Sequence, residues 1–205
     1  MPAPTDRVGG GVGGLVNLTY PRSDQLSVGY DLKEDRLFLI FHLHGGGFRK
    51  ALISRRILVG LLGHMSEQLT SSHPMAGYTA HRDEVLQMEH VAAVSVQNPG
   101  PTQQTSQTQQ TQQTQPPPTE FPGSFYVTDA HVELQQDMLV VGFSGEWLND
   151  PKALPVPIAA LGLGRSEAHQ VLRLLRDKAE FAGWNLEWPA QWLKPLEYGK
   201  ALGVQ

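Results

Sequence analysis

The N-terminal half of the chain alternates apolar and polar residues in short stretches separated by turn signals, a pattern that predicts β-strands. The stretches Gln25–Leu32 and Arg36–Leu43 flank the polar triplet Lys33-Glu34-Asp35, which is typical of a β-hairpin. Further strands are predicted at Leu15–Tyr20 and Phe48–Ile53. So many short strands in so little chain favour an antiparallel sheet.

After these strands the spacing of apolar residues changes from two to about 3.6, which predicts helices. Ser54 is a good N-cap, and the helix that follows it, as far as Leu69, carries apolar residues at i, i+3 and i+4 spacing. The residues of this stripe are Ile57, Leu58, Leu61, Leu62, Met65 and Leu69. A second, weaker helix is predicted from Arg82 to Val94.

The C-terminal half follows the same order of elements. Strands are predicted at Phe125–Leu134 and Met138–Phe143, around a polar turn. Ala153–Leu161 is predicted as an edge strand, because its two prolines cannot donate to a ladder. Ser166 is predicted to cap a helix with an apolar stripe. That stripe is Val171, Leu172, Leu175, Ala179 and Ala182.

The two halves can be laid over each other. Asp31–Phe41 matches Glu133–Phe143 at Leu, Asp, Leu and Phe, and each hairpin precedes a strand, a serine and a helix with a Leu-Leu pair. We therefore predict an α+β fold in which antiparallel β-sheets pack as a sandwich. Two similar β-β-β-α units build it, with a helical pair inserted between them. Any two amphipathic hairpins would also look this similar, so a true duplication stays open.

One segment cannot contribute to a core. Between Thr102 and Gln115 every residue is Thr, Gln or Ser, so ordering this segment would lose entropy without burying apolar area. We predict a disordered Gln/Thr/Pro linker at residues 97–124 and a flexible, Gly-rich start at 1–14. The two halves of a single domain then occupy 15–96 and 125–184, followed by a Trp/Pro-rich segment at 185–205.

Composition narrows the function classes. The chain has 205 residues and a net charge of -4, which argues against an overall electrostatic grip on nucleic acid or anionic lipid. It contains no cysteine, so disulfides and thiolate chemistry are excluded. No apolar run approaches the roughly 18–20 residues of a membrane span, and the start lacks the pattern of a signal peptide. The predicted location is the cytoplasm, without a membrane partner.

The string His44-Gly45-Gly46-Gly47-Phe48 matches the oxyanion-hole turn of hormone-sensitive-lipase-type esterases letter for letter. A serine esterase also needs a serine in a G-x-S-x-G turn, and the chain has no such string. The nearest serines are Ser144 and Ser166, with the wrong spacing or a helix-capping position. A serine esterase is therefore a minor alternative, and we predict that the three glycines supply the positive φ angles of a hairpin turn.

Histidines suggest a metal site only weakly. His42 and His44 lie two apart on one strand, as metal ligands can, but no third ligand is evident nearby. Five others, His64, His81, His90, His131 and His169, are scattered without a metal-binding spacing. We predict no metal, no cofactor and no catalytic residue.

One basic cluster stands out: Arg49, Lys50, Arg55 and Arg56. With Phe38 and Phe48 nearby, it could hold a single-stranded nucleic acid or another anion by phosphate contact and stacking. The alternative is a solvated rim, which the negative net charge favours. Arginine at a helix N-terminus opposes the macrodipole, which hints at a carboxylate or phosphate partner.

The last aromatic cluster is Trp184, Trp188, Trp192 and Tyr198. Prolines among these residues prevent a long helix. The rings either fold back over the core or present a patch on which a partner protein docks.

The order of elements is similar to the β-sandwich head domain of DNA-end-joining scaffold proteins and of the centriole cartwheel protein, over residues 15–184 without the linker. That resemblance implies a dimeric assembly module without catalysis, although the prolines after Trp184 exclude the family's coiled-coil stalk. The doubled unit also looks like single-stranded nucleic-acid binders of the Pur-alpha and Whirly type. We therefore predict a non-catalytic scaffold or adaptor that contacts a protein partner or its own copy; the alternative is a single-stranded nucleic-acid-binding protein.

Overall fold

Six strands and three α-helices make up the computed structural model, which describes residues 19–74, 77, 81–95, 123–150 and 152–194. The strands are β1 (Arg22–Asp31), β2 (Arg36–Leu43), β3 (Phe48–Ile53), β4 (Ser124–Gln135), β5 (Met138–Trp147) and β6 (Val156–Leu163). The helices are α1 (Arg55–Ser71), α2 (Arg82–Ser95) and α3 (Arg165–Phe181), with a 3-10 turn at Gln191–Leu193. The predicted Gly-rich start, most of the predicted strand at Leu15–Tyr20, almost all of the predicted linker, and Tyr198 lie outside the described residues.

The strands close into one barrel in chain order, β1 to β6. Pairing is antiparallel within β1-β2-β3 and within β4-β5-β6, and it is parallel at the two junctions, β3 with β4 and β6 with β1. The α+β class is confirmed. The predicted sandwich is not, because the six strands form a single closed sheet.

The prediction that Ala153–Leu161 forms an edge strand is wrong. β6 pairs with β5 on one side and with the start of β1 on the other, so it has a neighbour along both flanks. Pro157 is tolerated there because the register between β5 and β6 shifts at Ser144, where a ladder bond is already interrupted.

The glycine triplet turns the chain between two antiparallel strands, as predicted. Gly45, Gly46 and Gly47 have φ values of 90°, 102° and 89°, in the left-handed region that only glycine adopts freely. On either side of this turn, β2 and β3 pair antiparallel, from Leu37 opposite Ile53 to His42 opposite Phe48. The string His44–Phe48 is therefore a hairpin connection.

The two long helices begin differently. The Ser54 hydroxyl accepts a hydrogen bond from the Ile57 amide at 3.4 Å, so the predicted cap of α1 is confirmed. Ser166 is not a cap, because α3 begins one residue before it and its N-cap is Gly164. The Gly164 amide donates to the Glu167 carboxylate at 2.8 Å, which closes the first turn without a serine.

The core lies inside the barrel and under the helices. Leu37, Leu39 and Phe41 of β2 are fully buried, as are Val141 and Phe143 of β5, because alternate residues point inward. The rings of Phe41 and Phe143 meet with centroids 5.0 Å apart. Leucines of α1 and α3 join the same cluster. Each such side chain stabilises the fold by about 1.5–3 kcal/mol.

Candidate functional site: a pocket between α2, α3 and the tryptophan segment

Helix α2 packs on α3 through a partly buried ion pair. The Arg165 guanidinium donates to the Glu89 carboxylate from Nε at 2.5 Å and from Nη2 at 2.9 Å. The same guanidinium also donates to the Ser72 hydroxyl at 2.9 Å and to the Leu69 carbonyl at 2.7 Å. The end of α1, the middle of α2 and the start of α3 are thereby fixed to one another, since a bidentate pair sets orientation as well as distance.

The tryptophan segment, residues 184–194, folds back on this junction. Trp192 is buried, and its indole N–H donates to the Thr70 hydroxyl of α1 at 3.1 Å. Trp184 is also buried and donates to Asp35 at 3.3 Å. The Gln87 side chain of α2 donates to the Lys194 carbonyl at 2.8 Å, which ties down the end of the segment.

Two of the tryptophans predicted to dock a partner are therefore buried within the protein itself. Trp184 and Trp192 bury their rings against the core, which is the first of the two alternatives for the C-terminal aromatic residues. Trp188 is half-buried and remains partly accessible. Of the three, Trp188 alone keeps ring surface that a partner could touch without displacing the segment.

Two histidines meet behind Trp192. His90 of α2 and His169 of α3 have their Nδ1 atoms 3.2 Å apart, so one ring donates and the other accepts. Trp192 packs edge-on against both rings, at centroid distances of 5.8 Å and 5.3 Å. His169 Nε2 lies 3.5 Å from Glu89 Oε2, which joins the pair to the ion pair beside it.

Burial governs the ionisation of this group. It lowers the pKa of His90 to about 4, and the positive charges of neighbouring groups add to the effect. Burial also lowers the pKa of His169, against the opposing pull of Glu89. For Glu89 itself burial would raise the pKa, but the hydrogen bonds and charge of Arg165 outweigh it and the pKa is lowered. At neutral pH the two imidazoles are thus uncharged and the carboxylate is ionised.

Next to the histidines, a pocket of about 230 Å³ opens between α2, α3 and the tryptophan segment. We call it the Arg176 pocket. Apolar and aromatic side chains form one part of its wall, and polar or charged side chains form the rest, of which Arg176 and His90 are buried. The apolar and aromatic wall residues are Val91, Leu172, Trp188, Trp192 and Leu193.

Arg176 is the unusual residue of the site. Its side chain is only 6% exposed, and its guanidinium carbon lies 2.9 Å from the centroid of the Trp188 ring. Nη2 lies 3.3 Å from Glu180, whereas Nε and Nη1 have no hydrogen-bond partner in the described part of the chain. Burial lowers the pKa of Arg176, and Glu180 opposes that shift. The arrangement suits binding of an acceptor or an anion.

The predicted basic cluster does not share one face. Arg49 pairs with Phe41 and Lys50 with Ile40, so their side chains point to opposite sides of β3. Arg49 donates to the Pro157 and Ile158 carbonyls at 2.9 Å and 2.7 Å, and burial lowers its pKa. It therefore ties β3 to β6.

The other members of that cluster, Arg55 and Arg56, are exposed in the first turn of α1. The ring expected to stack on a base near them is already covered. Phe38 lies against Gly29, where an added Cβ would sit 2.1 Å from its Cζ, and Lys50 Nζ lies 5.0 Å from the ring centroid. A base would have to displace the chain's own lysine.

The side chains considered for esterase and metal chemistry lie apart from the Arg176 pocket. His44 Nδ1 is 2.8 Å from Asp24 at the surface, and Ser144 Oγ is 2.7 Å from the Tyr20 hydroxyl on the barrel. Ser166 is exposed in the first turn of α3. Within the described ranges no three His, Asp or Glu side chains gather so that they could hold a metal ion.

The sequence analysis named Trp188 and Trp192, which line this pocket, but it missed the residues that α2 and α3 contribute, although one signal for them exists. His169, Leu172, Arg176 and Ala179 fall on the same face of α3 at i, i+3, i+7 and i+10. An arginine and a histidine within an apolar stripe are buried polar groups, and such groups need an explanation. Glu89 and Arg165 carry no comparable signal, because charged residues at those positions read as solvent-exposed.

Comparisons with protein-family models, with curated proteins and with solved structures each find no match to this chain. Among the described residues, no helix is both long and apolar enough to cross a membrane.

Proposed function

We propose that this protein is a non-catalytic adaptor that anchors one side chain of a partner protein in the Arg176 pocket. The observation that carries the proposal is the pocket itself, where aromatic and aliphatic walls surround a buried cation with unused donors. Hot spots of protein interfaces have this construction, in which an anchor side chain fills a well-packed pocket.

The size of the pocket favours a side chain over a metabolite. Pockets for drug-sized molecules and cofactors usually measure about 300–1,000 Å³. The Arg176 pocket, at about 230 Å³, is smaller than that range and comparable to a single large side chain. A larger groove of about 720 Å³ runs along α1, but it is open and shallow-walled.

The surface beside the pocket is apolar, as an interface needs around its anchor. Met88 and Val91 lie one turn apart on α2 and are 71% and 45% exposed. Val91 also lines the pocket, so the patch and the pocket are continuous. A segment of a partner that crossed α2 would cover both apolar side chains while its anchor side chain entered the pocket.

The adaptor function agrees with the scaffold class expected from the order of elements, and the cytoplasm remains its expected compartment. The nucleic-acid alternative has less support, because Arg49 is bonded inside the barrel and the Phe38 ring is covered. Salt-dependent binding of a labelled oligo(dT) at micromolar concentration would favour that alternative instead.

The test uses the full chain with a photo-crosslinking amino acid at Val91, and a matched variant with the same group at the exposed Leu32 on the β1–β2 turn. The probes are peptides selected from a displayed random 12-residue library on the unmodified protein. We expect the selected peptides to crosslink at Val91 and not at Leu32. Equal crosslinking at both positions, or none at Val91, would overturn the proposal, and a concentration-dependent mass by light scattering would assign the partner as a second copy.

A further inference from the structure

We infer that the side chain anchored in the Arg176 pocket is a carboxylate of a partner aspartate or glutamate, bound by Arg176 in exchange for Glu180. This inference rests on the proposed adaptor function and specifies the chemistry of its partner. It follows from the unused donors of Arg176, from the weak attachment of Glu180 and from the charges around the pocket.

The first argument concerns the unused donors. Arg176 Nε and Nη1 are buried, and no described residue forms a hydrogen bond with either, although a guanidinium has five N–H donors. Buried donors left unpaired are unfavourable, and native proteins retain few of them. A ligand with acceptor oxygens would satisfy these donors on binding. The unpaired donors that destabilise the free protein therefore favour formation of the complex.

The second argument concerns Glu180, one helical turn beyond Arg176. Its carboxylate lies 3.3 Å from Nη2 but its side chain is 54% exposed, so it is held loosely at the mouth of the pocket. Because the carboxylate side of the pair is exposed to solvent, the attraction is screened there and the pair is weaker than a fully buried one. Glu180 shows that the guanidinium takes a carboxylate at this position, and its exposure allows another carboxylate to replace it.

The third argument concerns the local charge. Arg173, Arg176 and Lys194 line the pocket together with Asp177 and Glu180, which leaves one more cation than anions. Arg173 is occupied by both oxygens of Asp177 at 2.8 Å. Glu180 faces Arg176, so the surplus charge is that of Lys194, and a carboxylate that replaced Glu180 would meet two cations.

The fourth argument distinguishes a carboxylate from a phosphate. The Trp188 ring lies against the guanidinium of Arg176, so an acceptor must approach the N–H bonds from the sides that the ring leaves open. A single guanidinium beside an indole ring matches one planar carboxylate. A phosphate dianion carries more charge and more oxygens than this one cation can satisfy.

The experiment compares pairs of the selected peptides that differ by Glu→Gln or Asp→Asn, each made with an amidated and with a free C-terminus. Affinities for the full chain are measured by fluorescence anisotropy for wild type, Arg176→Met, Glu180→Gln and the control Arg22→Met, in which the arginine is exposed on β1. We expect the Gln or Asn peptide to bind wild type at least about 30-fold more weakly than the Glu or Asp peptide. Arg176→Met should bind both peptides alike, and Arg22→Met should behave as wild type.

Glu180→Gln gives a readout that a merely structural arginine would not produce. Removing the competing carboxylate should tighten binding of the Glu or Asp peptide about two- to fivefold. If Arg176→Met does not fold, Arg176→Lys and the Glu180→Gln comparison still decide the question. Equal binding of the Glu or Asp peptide and its Gln or Asn counterpart, weaker binding to Glu180→Gln, or a dependence on the free C-terminus would each overturn the inference.

The two proposals fail in different ways. Peptides that crosslink at Val91 but do not distinguish Glu from Gln would overturn the carboxylate inference and leave the adaptor function standing. Absence of crosslinking at Val91 would overturn the adaptor function itself.

Discussion

The first half of the barrel and the second half have similar strands, but their helices have different surroundings. Leu37, Leu39 and Phe41 of β2 occupy the interior in the way that their aligned counterparts Leu139, Val141 and Phe143 of β5 do. Helix α3, in contrast, is covered by α2 and the tryptophan segment and carries buried charges, whereas α1 leaves much of its outer face open.

This difference separates the scaffold from the candidate site. The shared apolar positions build a barrel in which each half closes the other through the parallel junctions β3–β4 and β6–β1. Among the described residues, the buried charged side chain that suggests binding, Arg176, lies on α3 and has no counterpart on α1. Variants at matched positions of the two halves can therefore test which features belong to the scaffold and which to the site.

The largest effect is expected at the contact between the halves. Phe41→Ala and Phe143→Ala should each lower the free energy of unfolding by about 3–5 kcal/mol, because each removes a fully buried ring. Urea denaturation followed by circular dichroism measures both. The two losses should agree within about 1 kcal/mol if the halves contribute equally, and the double variant should lose less than the sum because the rings touch.

The control for this comparison is Phe181→Ala, whose ring is exposed at the end of α3 and should cost under about 0.5 kcal/mol. A difference of more than about 2 kcal/mol between the two core variants would show that the halves do not share the barrel equally.

The second prediction concerns the two histidines that meet in the candidate site, His90 of α2 and His169 of α3. In the folded protein the pKa of His90 is lowered to about 4, so its imidazole stays neutral over a range of pH in which the same side chain of the unfolded chain takes up a proton, below pH 6.5. Its contribution to stability is complete above pH 6.5 and is lost as the pH falls toward 4. The free energy of unfolding should thus be about 2 kcal/mol lower at pH 5 than at pH 7.5 on account of His90 alone.

The groups that face His90 act in known directions. His169, Glu89, Arg173 and Asp177 surround it, and both His169 and Glu89 have lowered pKa values, so their contributions are also lost as the pH falls. Urea titrations at several pH values test this. His90→Asn should flatten the pH dependence, whereas His64→Gln on the exposed face of α1 should not. An unchanged slope in His90→Asn would contradict the prediction.

The barrel's elements were largely predictable because they depend on local periodicity. The alternation in β2 gave its bounds, Arg36–Leu43, and the 3.6 spacing located α1. The closure of the barrel could not be predicted in this way. It depends on the pairing of β6 with β1 and of β3 with β4, between strands that are not hairpin neighbours.

The site was less predictable, because it joins side chains distant in sequence. Arg165 meets Glu89 across 76 positions, and His169 meets His90 across 79. Neither pair has a local pattern, and α2 gave only a weak periodic signal. Ser166 was assigned a capping role from residue type alone, while the Glu167 carboxylate completes the turn at Gly164.

The third prediction compares two arginines of α3, the buried Arg176 and the partly buried Arg165. Arg176→Met should leave the free energy of unfolding unchanged or raise it by about 1 kcal/mol, because a guanidinium with unpaired nitrogens is replaced by an apolar chain that still packs on Trp188. Arg165→Met should lower it by about 3 kcal/mol, since it leaves Glu89 without its partner. Equal losses in the two variants, measured by urea denaturation, would show that Arg176 is structural and not kept for binding.

The smallest effect is expected on the open face of α1. Gly60 and Gly63 lie in the middle of this helix, and a Cβ added at either would meet no atom within 4 Å. Gly60→Ala and Gly63→Ala should each raise the free energy of unfolding by about 0.5–1 kcal/mol, because alanine loses less backbone entropy in a helix. Gly145→Ala is the opposite control, since its Cβ would lie 2.0 Å from the Tyr126 carbonyl oxygen and force β4 and β5 apart.

The same two alanine variants also decide whether the difference between the helices is functional. Both glycines line the groove of about 720 Å³ along α1. In the described part of the chain, no helix covers this groove in the way that α2 covers α3. If the selected peptides bind these variants as they bind wild type, the open face of α1 takes no part in recognition, and binding is confined to the pocket between α2, α3 and the tryptophan segment. If added methyl groups that stabilise the helix weaken peptide binding, the groove along α1 belongs to the interface, and the distinction between an inert α1 and a binding α3 is wrong.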